Sequence, residues 1–230
     1  MIQLEMLSKV FRKGSRKVRA LDGIGLQVEQ GEFVVIRGPS GSGKTTLLLA
    51  VGGMLRPTSG RIAIGGRDVY AMSERERARF RAENVGFVFQ MFHLVPYLTL
   101  LENVLLARGT RPGGAPRERA LELLKRLGLS DRRSHRPSEL SAGEKQRTAI
   151  ARALLNEPKV ILADEPTGNL DPDNAEEVIE ALAGYHRGGG TILLVTHGTS
   201  ADRHAGRVVK LRAGRMETPD PEGKAHDPAA

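Results

Sequence analysis

The stretch that decides the fold is Phe33–Leu49, which reads FVVIRGPSGSGKTTLLL. Its first apolar residues predict a buried strand, the glycine-rich segment predicts a tight loop, and the leucines that follow predict a helix. Glycines let backbone N–H groups approach phosphate oxygens closely, and the N-terminus of a helix adds about half a positive charge. The order of strand, loop and helix therefore predicts a phosphate-binding site.

The loop fits the pattern G-x-x-x-x-G-K-[ST], in which the polar residues have separate tasks. Lys44 is expected to reach the β- and γ-phosphates of a nucleotide, and the Thr45 hydroxyl to bind Mg²⁺. The alternative is a glycine-rich turn before an ordinary helix, and the strand ahead of the loop argues against it. The predicted nucleotide-binding residues of the loop are Gly38, Pro39, Ser40, Gly41, Ser42, Gly43, Lys44, Thr45 and Thr46.

A second candidate site lies where the apolar segment 160–163 runs into Asp164 and Glu165. Ligands of open α/β sheets collect at the carboxyl ends of the strands. Because adjacent side chains point in different directions, we expect Asp164 to hold Mg²⁺ and Glu165 to orient or deprotonate an attacking water. The alternative is a solvated acidic turn before Pro166.

Composition narrows the class of protein. A chain of 230 residues can bury one substantial core with a smaller lobe. Its 35 Lys and Arg against 27 Asp and Glu leave a formal charge of +8, which suits nucleic acid, an anionic membrane surface or phosphorylated ligands. Three Tyr and six Phe are too few for a base-stacking surface, so nucleic acid is not an expected partner. Without cysteine the chain has no disulfide and no zinc–thiolate site.

Apolar runs are short throughout the sequence. None approaches the roughly 18 residues that a membrane-spanning helix needs, and the run 47–55 is broken by two glycines. The N-terminal residues also lack a basic patch followed by an apolar segment. We therefore expect a chain that does not cross a membrane by itself and is not exported.

Periodicity divides the chain into three regions. The first third alternates in the manner of strands, at 2–7, 26–28, 33–36 and 61–64. Residues 98–155 are mainly helical, with interruptions at 111–116, Gly128 and Pro137. Strands at 85–89, 160–163 and 191–196, with a helix near 174–183, indicate a parallel sheet that the helical region interrupts. The last 13 residues are expected to be a disordered tail.

Further motifs make the chain similar to a known family. The segment Leu140–Arg147, which reads LSAGEKQR, resembles the LSGGQ signature of ABC transporter nucleotide-binding subunits. Gln90 resembles the Q-loop glutamine, Asp171 in the segment GNLD the D-loop aspartate, and His197 the switch histidine. Phe11 resembles the aromatic residue that stacks on adenine. The combination covers about residues 1–217.

The resemblance implies a fold and a domain organisation. The expected fold is α/β, a P-loop NTPase (RecA-like) core with an N-terminal antiparallel β subdomain and an inserted helical subdomain. The nucleotide-binding domain would span residues 1–217, the helical subdomain about 91–156, and the tail 218–230.

The resemblance also implies a reaction and the residues that perform it. Two copies would close around two Mg-ATP, with Ser141 and Gly143 of one copy on the γ-phosphate held by the other and Asp171 acting across the interface. Gln90 would reach Mg²⁺ or the attacking water, and His197 would contact the γ-phosphate. The implied catalytic residues are Lys44, Gln90, Glu165 and His197, and the implied magnesium ligands are Thr45, Gln90 and Asp164.

Residues 88–104 and 162–171 resemble one branch of the family, which serves lipoprotein release, macrolide and peptide export, and cell division. This implies a partner that is an integral membrane permease with an extracytoplasmic domain, and a peripheral position on the cytoplasmic face of the inner membrane. Two alternatives stay open: an ATPase that acts mechanically on a cell-wall enzyme, and a soluble ABC ATPase without a transport role. A small-molecule kinase would share the phosphate loop but would not need the signature.

Several of these residues have simpler interpretations. Ser141 and Glu144 also form a capping box at the start of a helix. Phe11 could be a core aromatic residue, and His197 an ordinary surface histidine. Three residues depart from the family pattern: Ala142 stands for the first signature glycine, Lys145 for a common glutamine, and Gly198 for the usual aspartate. We expect these departures to tune hydrolysis rather than abolish it.

Overall fold

The computed structural model describes residues 1–14, 16–108 and 115–217. Its strands are β1 (Ile2–Lys13), β2 (Arg16–Val28), β3 (Phe33–Arg37), β4 (Ser59–Ile64), β5 (Arg67–Asp68), β6 (Val85–Phe89), β7 (Val160–Asp164), β8 (Thr191–Thr196), β9 (Arg207–Arg212) and β10 (Arg215–Met216). Its helices are α1 (Lys44–Val51), α2 (Glu74–Asn84), α3 (Leu100–Leu105), α4 (Pro116–Arg126), α5 (Ala142–Leu154) and α6 (Pro172–Arg187). The predicted tail, 218–230, lies outside the described residues.

The strands form two sheets. The larger has the order β10-β9-β3-β8-β7-β6, and all of its neighbours run parallel except the short β10. The smaller is antiparallel, with the order β2-β1-β4-β5. The parallel sheet confirms the predicted α/β class, because parallel strands need crossover connections, which are usually helices. The N-terminal antiparallel strands can instead be joined by short turns.

Alternating side chains of the parallel sheet enter two different cores. Val34 and Ile36 of β3 face a core shared with α1 and the antiparallel sheet. Phe33 and Val35 of the same strand face the opposite core, shared with α5 and α6. Strands buried on both faces read as continuous apolar runs, which explains the sequence of β3, β7 and β8.

A third core joins the helices that lie between β6 and β7. It contains Leu100 and Val104 of α3, Leu123 and Leu124 of α4, and Ala151 of α5. Helix α5 also contributes Ile150 to the core beneath the parallel sheet. One helix therefore packs on both the sheet and the helical layer.

The structure departs from the sequence prediction at one edge of the large sheet. Strands β9 and β10 were not predicted, because β9 is basic and mostly exposed, with Leu211 its one buried residue. Its place is set by backbone pairing with β3 rather than by an apolar pattern. The helix predicted from the leucines after the loop, α1, ends at Val51, and Gly52 follows as its C-cap.

None of the described helices is both long enough and apolar enough to cross a bilayer.

Gly60 of β4 provides a test of how this strand is held against β1. It lies opposite a register shift in β1, has φ +89°, and a Cβ at this position would lie 2.5 Å from the Met6 carbonyl oxygen and 2.6 Å from that of Glu5. Gly60→Ala is expected to lower the free energy of unfolding by about 3 kcal/mol, because the left-handed backbone and the close contact both oppose a methyl group. Urea denaturation measures this.

The matched control is Gly65→Ala, which also has a positive φ but open space around the added methyl. The Gly65→Ala variant should lose only about 1 kcal/mol of the free energy of unfolding, which is the cost of the left-handed backbone conformation alone. Equal losses for the two variants would show that the contact with β1 is not a constraint.

Candidate functional site

The parallel register brings the ends of three strands to one edge of the sheet. Arg37 of β3 pairs with Thr196 of β8, and Asp164 of β7 pairs with Val195 of β8. The loops that leave these strands surround an open cleft of about 560 Å³. It is lined by Ala20, Ser40, Gly41, Gly43, Lys44, Thr45, Thr46, Gln90, Glu165 and His197.

The glycine-rich loop passes directly into α1. Gly43 is the N-cap residue of α1, with φ +106° and no side-chain hydrogen bond to the helix. A Cβ at this position would collide with the Ala20 carbonyl of β2. The first N–H groups of the helix therefore have no side-chain cap from this position, and such groups are donors for an anion.

The other end of the loop is tied to the β9–β10 hairpin. The Gly214 N–H donates to the Ser42 carbonyl oxygen at 3.0 Å, and Ser42 is buried. The turn between β9 and β10, two strands that the sequence did not predict, is therefore hydrogen-bonded to the glycine-rich loop.

Lys44 lines the cleft and is only 7% exposed. Its Nζ donates to the carbonyl oxygens of Gly38, at 2.7 Å, and Pro39, at 3.1 Å. It also lies 3.3 Å from Glu165 Oε1. A buried cation is thus fixed by oxygen partners of the kind that a phosphate group would supply.

Glu165 is the most extensively bonded acid of the site. Its Oε2 accepts hydrogen bonds from Thr196 Oγ1 at 2.9 Å and from the His197 N–H at 3.2 Å. His197 Nδ1 lies 2.9 Å from the same oxygen and donates when that carboxyl is ionised. Burial alone would raise the pKa of Glu165, but the bonds from His197 and Thr196 outweigh it and hold that pKa below its usual range.

Asp164 directly precedes Glu165 in the chain and is more deeply buried. It is 9% exposed, and its Oδ1 has no hydrogen-bond partner within the described residues. Burial raises the pKa of Asp164, against a hydrogen bond from the Thr45 side chain and the charge of Lys44. A buried carboxylate oxygen with an open lone pair beside a hydroxyl is a donor set that suits a hard divalent cation.

Gln90 reaches the cleft from the end of β6 and is bonded to the segment after Glu165. Its Nε2 donates to Asn169 Oδ1 at 3.2 Å, and Asn169 Nδ2 returns a bond to the Gln90 carbonyl at 3.1 Å. These two loops are therefore coupled through a reciprocal pair of amide hydrogen bonds.

The backbone immediately after Gln90 is strained. Phe92 has φ +44° and His93 φ +49°, and neither is a glycine. Each such residue costs about 1–2 kcal/mol relative to a right-handed conformation. Such a conformation persists only where the surroundings hold it.

Ser141, Gly143 and Asp171 do not line the cleft of their own chain. Ser141 is the N-cap residue of α5, and the predicted capping box with Glu144 is confirmed, with bonds of 3.1 and 2.8 Å. Gly143 faces Asn174, since a Cβ there would collide with the Asn174 side chain. Asp171 caps α6 by accepting the Asn174 N–H at 3.0 Å.

Phe11 also lies outside the residues that line the cleft. Its side chain projects from β1 and is 41% exposed, and Lys9 Nζ is 5.2 Å from the centre of its ring. It is therefore not the core residue that the simpler interpretation suggested, and its face is accessible to a ring-shaped ligand.

Three residues of the site were not singled out from the sequence. Thr196 binds Glu165, Asn169 binds Gln90, and Gln146 of α5 is fully buried with its Nε2 2.8 Å from the Pro166 carbonyl oxygen. The signal for Thr196 was its position at the end of β8, directly before His197. The other two are brought in by tertiary contacts that leave no local pattern.

The chain was compared with known proteins. A family model described as ABC transporter matches residues 21–168. Lipoprotein-releasing system ATP-binding protein LolD 1 of Caulobacter vibrioides is 46% identical over 94% of this chain and 94% of that protein. Macrolide export ATP-binding/permease protein MacB of Burkholderia pseudomallei is 45% identical over 94% of this chain, which corresponds to 33% of MacB.

A solved structure shares the whole architecture. The ATP-binding cassette MJ0796, determined as a dimer in a post-hydrolysis state bound to ADP and Pi, has a TM-score of 0.87 and 40% sequence identity, with 95% of this chain and 97% of that chain covered. The predicted P-loop NTPase fold is confirmed by this match. The chain belongs to the ATP-binding subunits of the ABC transporter family, and it is an ATP-binding ATPase, as its sequence predicted.

Proposed function

We propose that the cleft binds Mg-ATP and that Glu165 is the general base that activates the attacking water. The observation that carries this proposal is the position of the Glu165 carboxylate, with Lys44 on one oxygen and Thr196 and His197 on the other. The lowered pKa of Glu165 keeps it ionised at neutral pH, which a proton acceptor requires.

The reaction is an in-line displacement at the γ-phosphorus. Glu165 takes a proton from water while the water oxygen bonds to phosphorus, and the bond to the leaving ADP oxygen breaks. Lys44 exchanges its bonds to Gly38, Pro39 and Glu165 for phosphate oxygens and stabilises their charge. His197 contacts Glu165 through Nδ1, and a phosphate oxygen would accept a hydrogen bond from whichever of its ring nitrogens carries a proton that Glu165 does not bind.

The residues that would hold Mg²⁺ are Thr45 and Asp164, with Gln90 completing the set. Asp164 has the open carboxylate oxygen, and the Thr45 hydroxyl is already hydrogen-bonded to Asp164. When bound, Mg²⁺ neutralises phosphate charge and orients the triphosphate. For Gln90 to reach the cation or the water, its bond to Asn169 must be exchanged.

A second copy of the chain would complete each site. Ser141 and Gly143 form a capped helix N-terminus that does not line the cleft of its own chain, although such a terminus favours anions. The match to a dimeric cassette supports a homodimer in the ATP-bound state, with Ser141 and Gly143 on the opposite γ-phosphate and Asp171 at the interface. The exposed ring of Phe11 would stack on adenine.

The proposed partner is an integral membrane permease with an extracytoplasmic domain, and the chain would bind it at the cytoplasmic face of the inner membrane. Support comes from the names of the relatives, a lipoprotein-releasing ATP-binding protein and a fused ATP-binding/permease protein of which this chain matches one third. Close to Gln90, Met91 and Tyr97 are 67% and 73% exposed, which a partner contact would bury.

Glu165→Gln tests the general base. The variant should bind ATP, accumulate as a dimer with ATP, and lose about 10²- to 10⁴-fold in kcat, because an amide cannot accept the proton. Phosphate release and size-exclusion chromatography with ATP measure both effects. Glu74→Gln, a carboxylate on the outer helix α2, is the matched control. Undiminished turnover in Glu165→Gln would contradict the assignment.

Ser141→Ala tests the composite site, and Ser73→Ala is its matched control. Both serines form a capping box with a glutamate three residues later, so both variants should lose about 1 kcal/mol of stability. Ser141→Ala alone should slow hydrolysis, without weakening ATP binding by the isolated monomer. Equal turnover in the two variants would reduce Ser141 to a cap.

Dilution gives an independent test of the dimer. If each site needs residues from two copies, ATPase activity per chain should fall as the protein is diluted below the dissociation constant of the dimer. Steady-state turnover measured across a dilution series determines this. A chain that keeps its full specific activity as a monomer would exclude the composite site.

A further inference from the structure

Side chains from outside the segment that carries Gln90 form hydrogen bonds to several of its carbonyl groups. Gln146 Nε2 lies 3.3 Å from the Phe89 carbonyl oxygen, and Asn169 Nδ2 donates to that of Gln90 at 3.1 Å. Arg152 donates from Nη2 to the Phe92 carbonyl at 2.7 Å and from Nη1 to that of His93 at 2.6 Å. Four carbonyls in a stretch of five residues are thus bonded by side chains from outside the segment.

The two bonds from Arg152 fall on the strained part of this segment. Phe92 and His93 are adjacent in the chain, and both have a positive φ although neither is a glycine. Such a pair keeps its conformation only where neighbouring groups fix it. The His93 ring adds an edge contact with Phe89 at 5.1 Å, but the ionic hydrogen bonds come from the guanidinium.

Arg152 lies on the helix that begins at Ser141. The same helix α5 carries Gln146, which also binds the Pro166 carbonyl directly after Glu165. It packs both beneath the parallel sheet, through Ile150, and in the helical layer, through Ala151. The helix is therefore a rigid connection between the signature segment and the loop that bears Gln90.

We propose that Arg152 is a positioning residue for ATP hydrolysis, which holds Phe92 and His93 in the left-handed conformation and thereby sets the place of Gln90 in the cleft. This inference rests on the proposed role of Gln90. The fork of an arginine matches two adjacent carbonyls, whereas the single ammonium of a lysine does not. The identity of residue 152 therefore matters beyond its charge.

The first measurement compares Arg152→Ala and Arg152→Lys with wild type. We expect kcat to fall about 10- to 100-fold in Arg152→Ala, since a catalytic group displaced by about 1 Å loses up to that much. The dissociation constant of ATP for the monomer should stay within about twofold, because the loop 38–46 is untouched. Arg152→Lys should recover only part of the rate. Arg119→Ala, another arginine with two partners in the helical layer, should keep the wild-type rate.

Glycine rescue separates positioning from general destabilisation. In the Arg152→Ala background, His93→Gly should raise kcat about fivefold, because glycine adopts a positive φ without a steric cost. His93→Ala removes the same imidazole but keeps the cost, so it should not raise the rate. Equal effects of glycine and alanine would overturn the proposal, as would a full wild-type rate in Arg152→Ala.

A double-mutant cycle with Gln90→Ala distinguishes the role of Arg152 from that of Gln90. If Arg152 acts through Gln90, the double variant Gln90→Ala/Arg152→Ala should be no slower than Gln90→Ala alone. Additive losses would overturn the proposal for Arg152 and leave the role of Gln90 intact. A Gln90→Ala variant with wild-type kcat would instead refute the proposed role of Gln90. Should Arg152→Ala fail to fold, Arg152→Lys serves in the same cycle.

Discussion

The register of β3, β8 and β7 is the constraint on which the site depends. Parallel strands end at the same edge of a sheet, and pairing of Arg37 with Thr196 and of Asp164 with Val195 aligns those ends to the residue. The phosphate loop, the acidic pair and His197 then meet without any long connection. A slip of one residue in β7 would turn Asp164 and Glu165 to opposite faces. The slip would also exchange the side chains of β7 between two close-packed cores, Val160 and Leu162 on one face for Ile161 and Ala163 on the other. The packing of these cores therefore sets the geometry of the polar site.

Two opposite charges of the cleft, those of Lys44 and Glu165, are paired with each other. Lys44 and Glu165 are both largely buried, and each satisfies part of the other's need for a partner. Leaving either charge alone in such a position would cost several kcal/mol. In the proposed role of Lys44, an incoming phosphate would take the place of the present oxygen partners of its ammonium group rather than meet an unpaired cation. The site is arranged in advance, and the exchange of partners is what nucleotide binding requires.

The parts of this structure that the sequence predicted are those encoded locally. The strand, loop and helix of 33–49, the acids after β7 and the capping box at Ser141 each occupy a short window with its own pattern. Strands β9 and β10 were missed, because they are basic, largely exposed and placed by backbone pairing. Asn169 and Gln146 lie within the quoted segments GNLD and LSAGEKQR, but their contacts were not predicted, and neither were those of Arg152. The reason is that the partners of all three residues are distant in sequence.

The hydrogen bonds to the carbonyl groups of residues 89–93 affect which substitutions this segment tolerates. Hydrogen bonds to carbonyl oxygens do not depend on which side chain the bonded residue carries. The sulfur of the exposed Met91 lies 3.8 Å from Asn169 Nδ2, but the bonds to the Gln90 and Phe92 carbonyl oxygens on either side do not require a particular side chain at position 91. The side chain at position 91 can therefore vary while Gln90 keeps its place. If the surface around Met91 makes the proposed contact with a membrane partner, the contact can adapt to different partners without a change in the proposed hydrolytic site.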